Sequence, residues 1–255
     1  MERLKPWQKT AIVGAAYALL VVIMTWPSIS VLGERLIGDN EDAWIFFWNN
    51  WWLLEALSGD LNLFFTPHLF FPQGTSLVAH SNSYLSSILA VIIDPLFGPV
   101  ASYNLVFMFG LWVGALGMFL LVEDITKHRP AAFIAGFVFA FAPYHVSQAL
   151  AHGHLGSIHW WPFFALFLRR TLYKGRWRDA ILAGVFGALT VWSGLQLAVL
   201  LVLWAVLYLL WFIWTQRSEL FRDKGLRNRF LSRCAVIFLI AFLLSLPLLY
   251  VLAAN

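Results

Sequence analysis

Long apolar runs separated by short polar turns set the pattern of this chain. They cover residues 10–30, 101–122, 131–146, 157–172, 180–215 and 234–254. An α-helix needs about 20 residues to cross an apolar bilayer core about 30 Å thick. The run 180–215 holds 36 residues, about 54 Å of helix, which is too long for one crossing. Its polar break, Trp192-Ser193-Gly194-Leu195-Gln196, predicts a tight helical hairpin. Seven spans result. The third and fourth, at 16 residues each, are short enough to form a re-entrant pair instead.

The segment 31–100 has a different texture. Trp44, Phe47, Trp48, Trp51, Trp52 and Leu54 recur at helical spacing, interrupted by Asn49, Asn50 and Glu55. That predicts a helix of about 14 residues, too short to span, whose tryptophans suit the membrane–water boundary. The prolines of Phe64-Phe65-Thr66-Pro67-His68 and Phe71-Pro72-Gln73-Gly74 exclude regular helix there. A second apolar stretch, 83–96, closes on Asp94-Pro95 and Gly98-Pro99.

Composition turns this pattern into a class. Apolar and aromatic residues make up 61% of the 255 residues and charged residues 12%, against about 25% charged in soluble domains. The expected fold is all-α, a polytopic membrane protein whose first partner is the lipid bilayer. One cysteine excludes an intrachain disulfide and any multi-cysteine metal site.

The net charge of +4 changes meaning once each charge is placed. Sixteen of the 17 basic residues lie at the N-terminus, at Lys127 and Arg129, in 169–178 and in 217–233. Alternate crossings put all of these on one side, and basic residues stay cytoplasmic. The expected location is therefore the plasma (inner) membrane, multi-pass, with a cytoplasmic N-terminus. Counting 83–96 as a span would invert this alternation, so it reads as a second interfacial helix. Nucleic acid drops out as a partner.

The opposite face is acidic and histidine-bearing. The external loop, 31–100, carries seven carboxylates, and six of the seven histidines lie on or near that side, with Arg35 as its one basic residue. Such a long extramembrane segment points to function there.

The pattern Gly38-Asp39-Asn40-Glu41-Asp42 followed by Trp48 and Trp51-Trp52 resembles the first-loop motif of bacterial GT-C glycosyltransferases. Phe70-Phe71-Pro72-Gln73-Gly74, Leu121 before the basic turn, and Phe139-Ala140-Phe141-Ala142-Pro143-Tyr144 are similar to those members too. The superfamily includes the protein mannosyltransferase and aminoarabinose transferase branches. The resemblance implies a single transmembrane module over 1–255. It also implies a fragment, or a protein reduced to that module, because superfamily members usually continue with further spans. It further implies transfer of a sugar from a polyprenyl-phosphate donor to a glycan, lipid or protein acceptor.

A phosphate leaving group departs without strong protonation, so one carboxylate that deprotonates the acceptor hydroxyl suffices. Asp42 and Asp39 are the catalytic candidates. Asp39, Glu41 and Asp42 also offer hard oxygen ligands to an optional divalent cation, Mg or Mn, used by some members. Arg35, His80, Tyr144, His145, His152 and His154 are the candidate phosphate or sugar contacts, and a His152-Gly153-His154 zinc site is a further option. Simpler roles stand beside these. Asp39 fits a helix N-cap, acidic residues favour a first turn, and interfacial histidines serve as hydrogen-bonding groups. A transporter, or a non-catalytic subunit whose outer loop binds a partner or solute, is the competing function.

Overall fold

The computed structural model describes residues 5–38, 41–78 and 80–254; for residues 41, 221 and 254 it describes the backbone alone. Among the described residues the chain is almost wholly helical. In order it forms α1 (Pro6–Met24), α2 (Glu41–Ser58), α3 (Tyr84–Phe97), α4 (Pro99–Thr126) and α5 (Arg129–Phe141). Then come α6 (Pro143–Ala151), α7 (Gly153–Gly156), α8 (Trp161–Lys174), α9 (Trp177–Ser193), α10 (Leu195–Arg222) and α11 (Lys224–Ala254). The proline-rich stretch after α2 folds as a two-residue antiparallel hairpin, β1 (Phe65–Thr66) with β2 (Thr75–Ser76).

Among the described residues, five helical stretches are long and apolar enough to cross a membrane: Pro6–Met24, Pro99–Thr126, Arg129–Ala151, Leu195–Leu220 and Lys224–Ala253. α9 has 17 residues and α8 has 14, short of that length. The hairpin expected at 192–196 turns on Gly194, the single residue between α9 and α10. Helices stand where the aromatic and apolar patterns of residues 31–100 predict them, at α2 and α3. α1 ends earlier than its apolar run because Pro27 lies just ahead and a short 3-10 turn (Ser28–Val31) follows. The 131–146 run breaks in two. Ala142 is extended (φ −55, ψ 135) before Pro143, which opens α6 at its first turn, where a missing N–H costs nothing.

Two helices organise the packing. α4 lies against α1, α3, α5 and α8, and α9 lies against α8, α10 and α11. Around α4, Tyr17, Ala115, Phe119, Ala132 and Ala140 are buried together, and the Tyr17 hydroxyl donates to the Phe133 carbonyl at 2.8 Å. Around α9 the cluster is Phe164, Leu168, Ala180, Ala183, Leu201 and Ile237. Small residues at these contacts let helices approach closely, as in lipid-embedded bundles. The outer faces of α10 and α11 stay apolar and exposed, with Val199, Leu203, Leu207, Phe238 and Phe242 among them.

α4 is clamped at both ends by polar side chains. At its start, Asn104 is fully buried; its amide donates to the carbonyls of Leu32 and Arg35, both at 2.7 Å, and accepts from Ile37 N–H at 2.8 Å. At its end, the buried Asp124 carboxylate takes Lys174 (2.6 Å), Arg170 (3.1 Å) and Arg169. Twenty helical residues separate the two clamps, about 30 Å of rise. The loop before α2 and the basic turn after α8 therefore sit at opposite ends of the bundle.

Candidate functional site

The acidic motif meets the His152 turn through a glycine. Gly38 has φ +125, and a Cβ there would stand 2.9 Å from both Ala43 Cβ and the Leu150 carbonyl oxygen. Glycine alone allows that backbone and that approach, so the loop lies directly on the end of α6. α2 then starts at Glu41, and Asp42 occupies its first turn, where a carboxylate meets the positive end of the helix dipole.

His152 is the residue between α6 and α7. Its Nε2 lies 3.4 Å from Asp42 Oδ2, with both side chains half-exposed at 45% and 39%. His154, two residues on, packs its ring 5.3 Å from Phe46 on α2 and 6.4 Å from the His152 ring. His80 approaches from the segment before α3: its Nε2 is 3.0 Å from Asn49 Oδ1, while Asn49 Nδ2 donates to the Ser81 carbonyl at 3.0 Å. A cavity of about 290 Å3 opens between these segments and the α9–α10 turn, lined by His80, Asn82, Tyr84, His154 and Gln196 among others.

Burial lowers the His154 pKa; the hydrogen bond to Gln196 and the Asp42 charge oppose it, and His152 and His80 add to it. Burial also lowers His80. It pushes the Tyr84 hydroxyl up to about 12. The cavity wall is thus neutral and rich in donors and acceptors around neutral pH. Nδ1 of His152 and Nδ1 of His154 are buried without a hydrogen-bond partner, as is Oε1 of Gln148. Buried polar atoms left open in this way are suited to a ligand's hydroxyls or oxyanions.

The structure gathers Asp42, His80, His152 and His154 and leaves the other expected contacts elsewhere. His145 is buried, with Nδ1 2.9 Å from the Phe139 carbonyl and Nε2 2.9 Å from the Gly156 carbonyl, so it joins α5 to α7. Tyr144 is 74% exposed. Arg35 is exposed on the loop that Asn104 holds. Asp39 lies outside the described residues, as does the Glu41 side chain. Among the described residues no group of three or more His, Cys, Asp and Glu is close enough to share a metal ion.

Three residues of the site escaped sequence reasoning. Asn49 was visible, with Asn50, only as an interruption of the aromatic pattern, and Asn104 is a lone amide inside an apolar run. Gln196 was visible as part of a helix break but not as a cavity wall. The chain matches no family model, no curated protein and no solved structure.

Proposed function

We propose that this protein is a membrane glycosyltransferase that moves a sugar from a polyprenyl-phosphate donor to an acceptor hydroxyl on the external face. The observation that carries the reading is the Asp42–His152 pair, 3.4 Å apart, near a cavity of about 290 Å3 whose wall holds His80, His154 and Gln196. It lies at the end of the bundle opposite the basic clamp on Asp124. In the reaction the acceptor oxygen forms a bond to the sugar's anomeric carbon. The bond from that carbon to the phosphate oxygen breaks, and the polyprenyl phosphate leaves with the electron pair. The acceptor proton passes to Asp42. His152 orients that carboxylate, and His154 offers a neutral ring to hydrogen-bond the sugar or the phosphate. Asp39, the other aspartate of the motif, is the alternative base.

The same proposal takes seven crossings: the five long spans together with α8 and α9. α9 provides about 26 Å of helix, and α8 with its preceding 3-10 turn is of similar length. α2 and α3 then lie along the external surface, and the N-terminus is cytoplasmic in the plasma membrane.

The test is sugar transfer in membranes expressing the full chain, with radiolabelled polyprenyl-phosphate sugars and endogenous acceptors. Asp42→Asn is expected to lower transfer by about 10²-fold or more, the usual contribution of a positioned base, at unchanged expression. Undiminished transfer in that variant would remove Asp42 from the chemistry.

A further inference from the structure

A second cavity, of about 210 Å3, lies at the basic end between α8, α10 and α11. Tyr173, Phe212, Gln216, Glu219, Phe230 and Arg233 are in its wall. Its floor is aromatic: the Phe212 ring lies 5.4 Å from Tyr173 and 5.8 Å from Phe230.

Arg233 is the unusual member. Its guanidinium lies over the Trp177 ring at 5.7 Å and fills the space beside Gly175. A Cβ on Gly175 would stand 2.9 Å from Arg233 Nη1, and its φ of +66 is itself a glycine conformation. The Nε of Arg233 is buried with no hydrogen-bond partner. Among the described residues no carboxylate lies within 4.0 Å of it, whereas Asp124 takes Lys127, Arg169, Arg170 and Lys174, and Glu123 takes Arg129. A part-buried guanidinium without a counter-ion is costly, and a phosphate oxyanion is the ligand whose geometry its fork matches best.

The depth of the cavity says what carries that phosphate. Phe212 and Gln216 alternate along α10 with Trp211 and Trp214, which are exposed at 48% and 65%. Exposed tryptophans next to a basic helix end mark the headgroup level of a bilayer. Above them the apolar outer face of α10 begins.

We infer that the cavity between α8, α10 and α11 binds the phosphate headgroup of an anionic phospholipid, with Arg233 as its anchor and the acyl chains along α10. Arg233 supplies charge-assisted hydrogen bonds, Gln216 a neutral donor at the rim, and the aromatic floor excludes water from the contact.

The experiment is lipid retention by the purified full chain in detergent, read by native mass spectrometry with phosphatidylglycerol, phosphatidylcholine and inorganic phosphate as probes. Phosphatidylglycerol is expected to bind about tenfold more tightly than phosphatidylcholine, and Arg233→Gln to abolish that preference, the scale of one charge-assisted hydrogen bond. Arg222→Gln, an exposed control at the end of α10, is expected to change retention less than about twofold. Should Arg233→Gln fail to fold, Glu219→Gln decides, because removing that exposed carboxylate from the rim is expected to tighten phosphatidylglycerol about twofold. Three results each overturn the inference. They are equal retention of the two lipids, folded Arg233→Gln (or, in its place, Glu219→Gln) binding like wild type, and displacement of the lipid by millimolar inorganic phosphate. The last would assign the cavity to a soluble phosphate.

Discussion

Burial holds the His154 ring below the ordinary imidazole range, while the Gln196 hydrogen bond and the Asp42 charge pull the other way. His80, edge-on to Trp48 and bonded to Asn49, is lowered by burial as well. The unfolded chain takes up these protons near pH 6.5, before the folded chain does. The stability tied to both rings is therefore complete above about pH 6.5 and is lost as pH falls below it. The melting temperature in detergent is expected to drop from about pH 7.5 to about pH 5.5, with a flatter slope in a His80→Gln, His154→Gln double variant. Identical slopes would mean that these two rings do not set the dependence. These residues were legible in the sequence as external histidines near an acidic motif. Their partners were not, because Asn49, Asp42 and Gln196 lie far along the chain from the rings they meet.

Between elements, the strongest polar tie is the one Asp124 makes from the end of α4 to the end of α8. Its carboxylate is 3% exposed, while Arg169, Arg170 and Lys174 are 25%, 31% and 37% exposed. Asp124→Leu leaves several cations facing one another without their anion. Removing one partner of a buried pair costs about 3–5 kcal/mol, and the partly solvated cations reduce this to about 2–3 kcal/mol. Unfolding in mixed micelles with increasing denaturing detergent would measure it. A variant as stable as wild type would mean that packing alone holds α4 to α8. The turn from α9 into α10 at Gly194 was read from its polar neighbours. Pro27 limits α1 and Pro143 separates α5 from α6 inside runs that the apolar pattern carried through. The β1–β2 hairpin was invisible, since two-residue strands are too short to show an alternating pattern.

At the level of the whole molecule, the proposed seven-crossing topology predicts which loops face which compartment. Cys234 is the chain's one cysteine, so Cys234→Ser provides a clean background. Gln73→Cys, exposed in the external loop, is expected to react with a membrane-impermeant maleimide on intact cells. Ser218→Cys, exposed at the end of α10, is expected to react only after permeabilisation. The reverse order would invert the molecule and move the Asp42 cavity to the cytoplasm.

The sequence by itself determined the class of the protein, the places of its main helices and the segregation of its charges. Each of these follows from forces that act locally along the chain: helical periodicity, backbone restriction at proline and glycine, and the cost of charge in lipid. Only the tertiary structure decided that Asp42 meets His152 and that His145 turns inward between two carbonyls. It also decided that Arg233 lines a cavity with no carboxylate within 4.0 Å among the described residues. Those outcomes depend on which helix faces pack together, and closely similar apolar faces leave that choice to side-chain fit across the whole bundle.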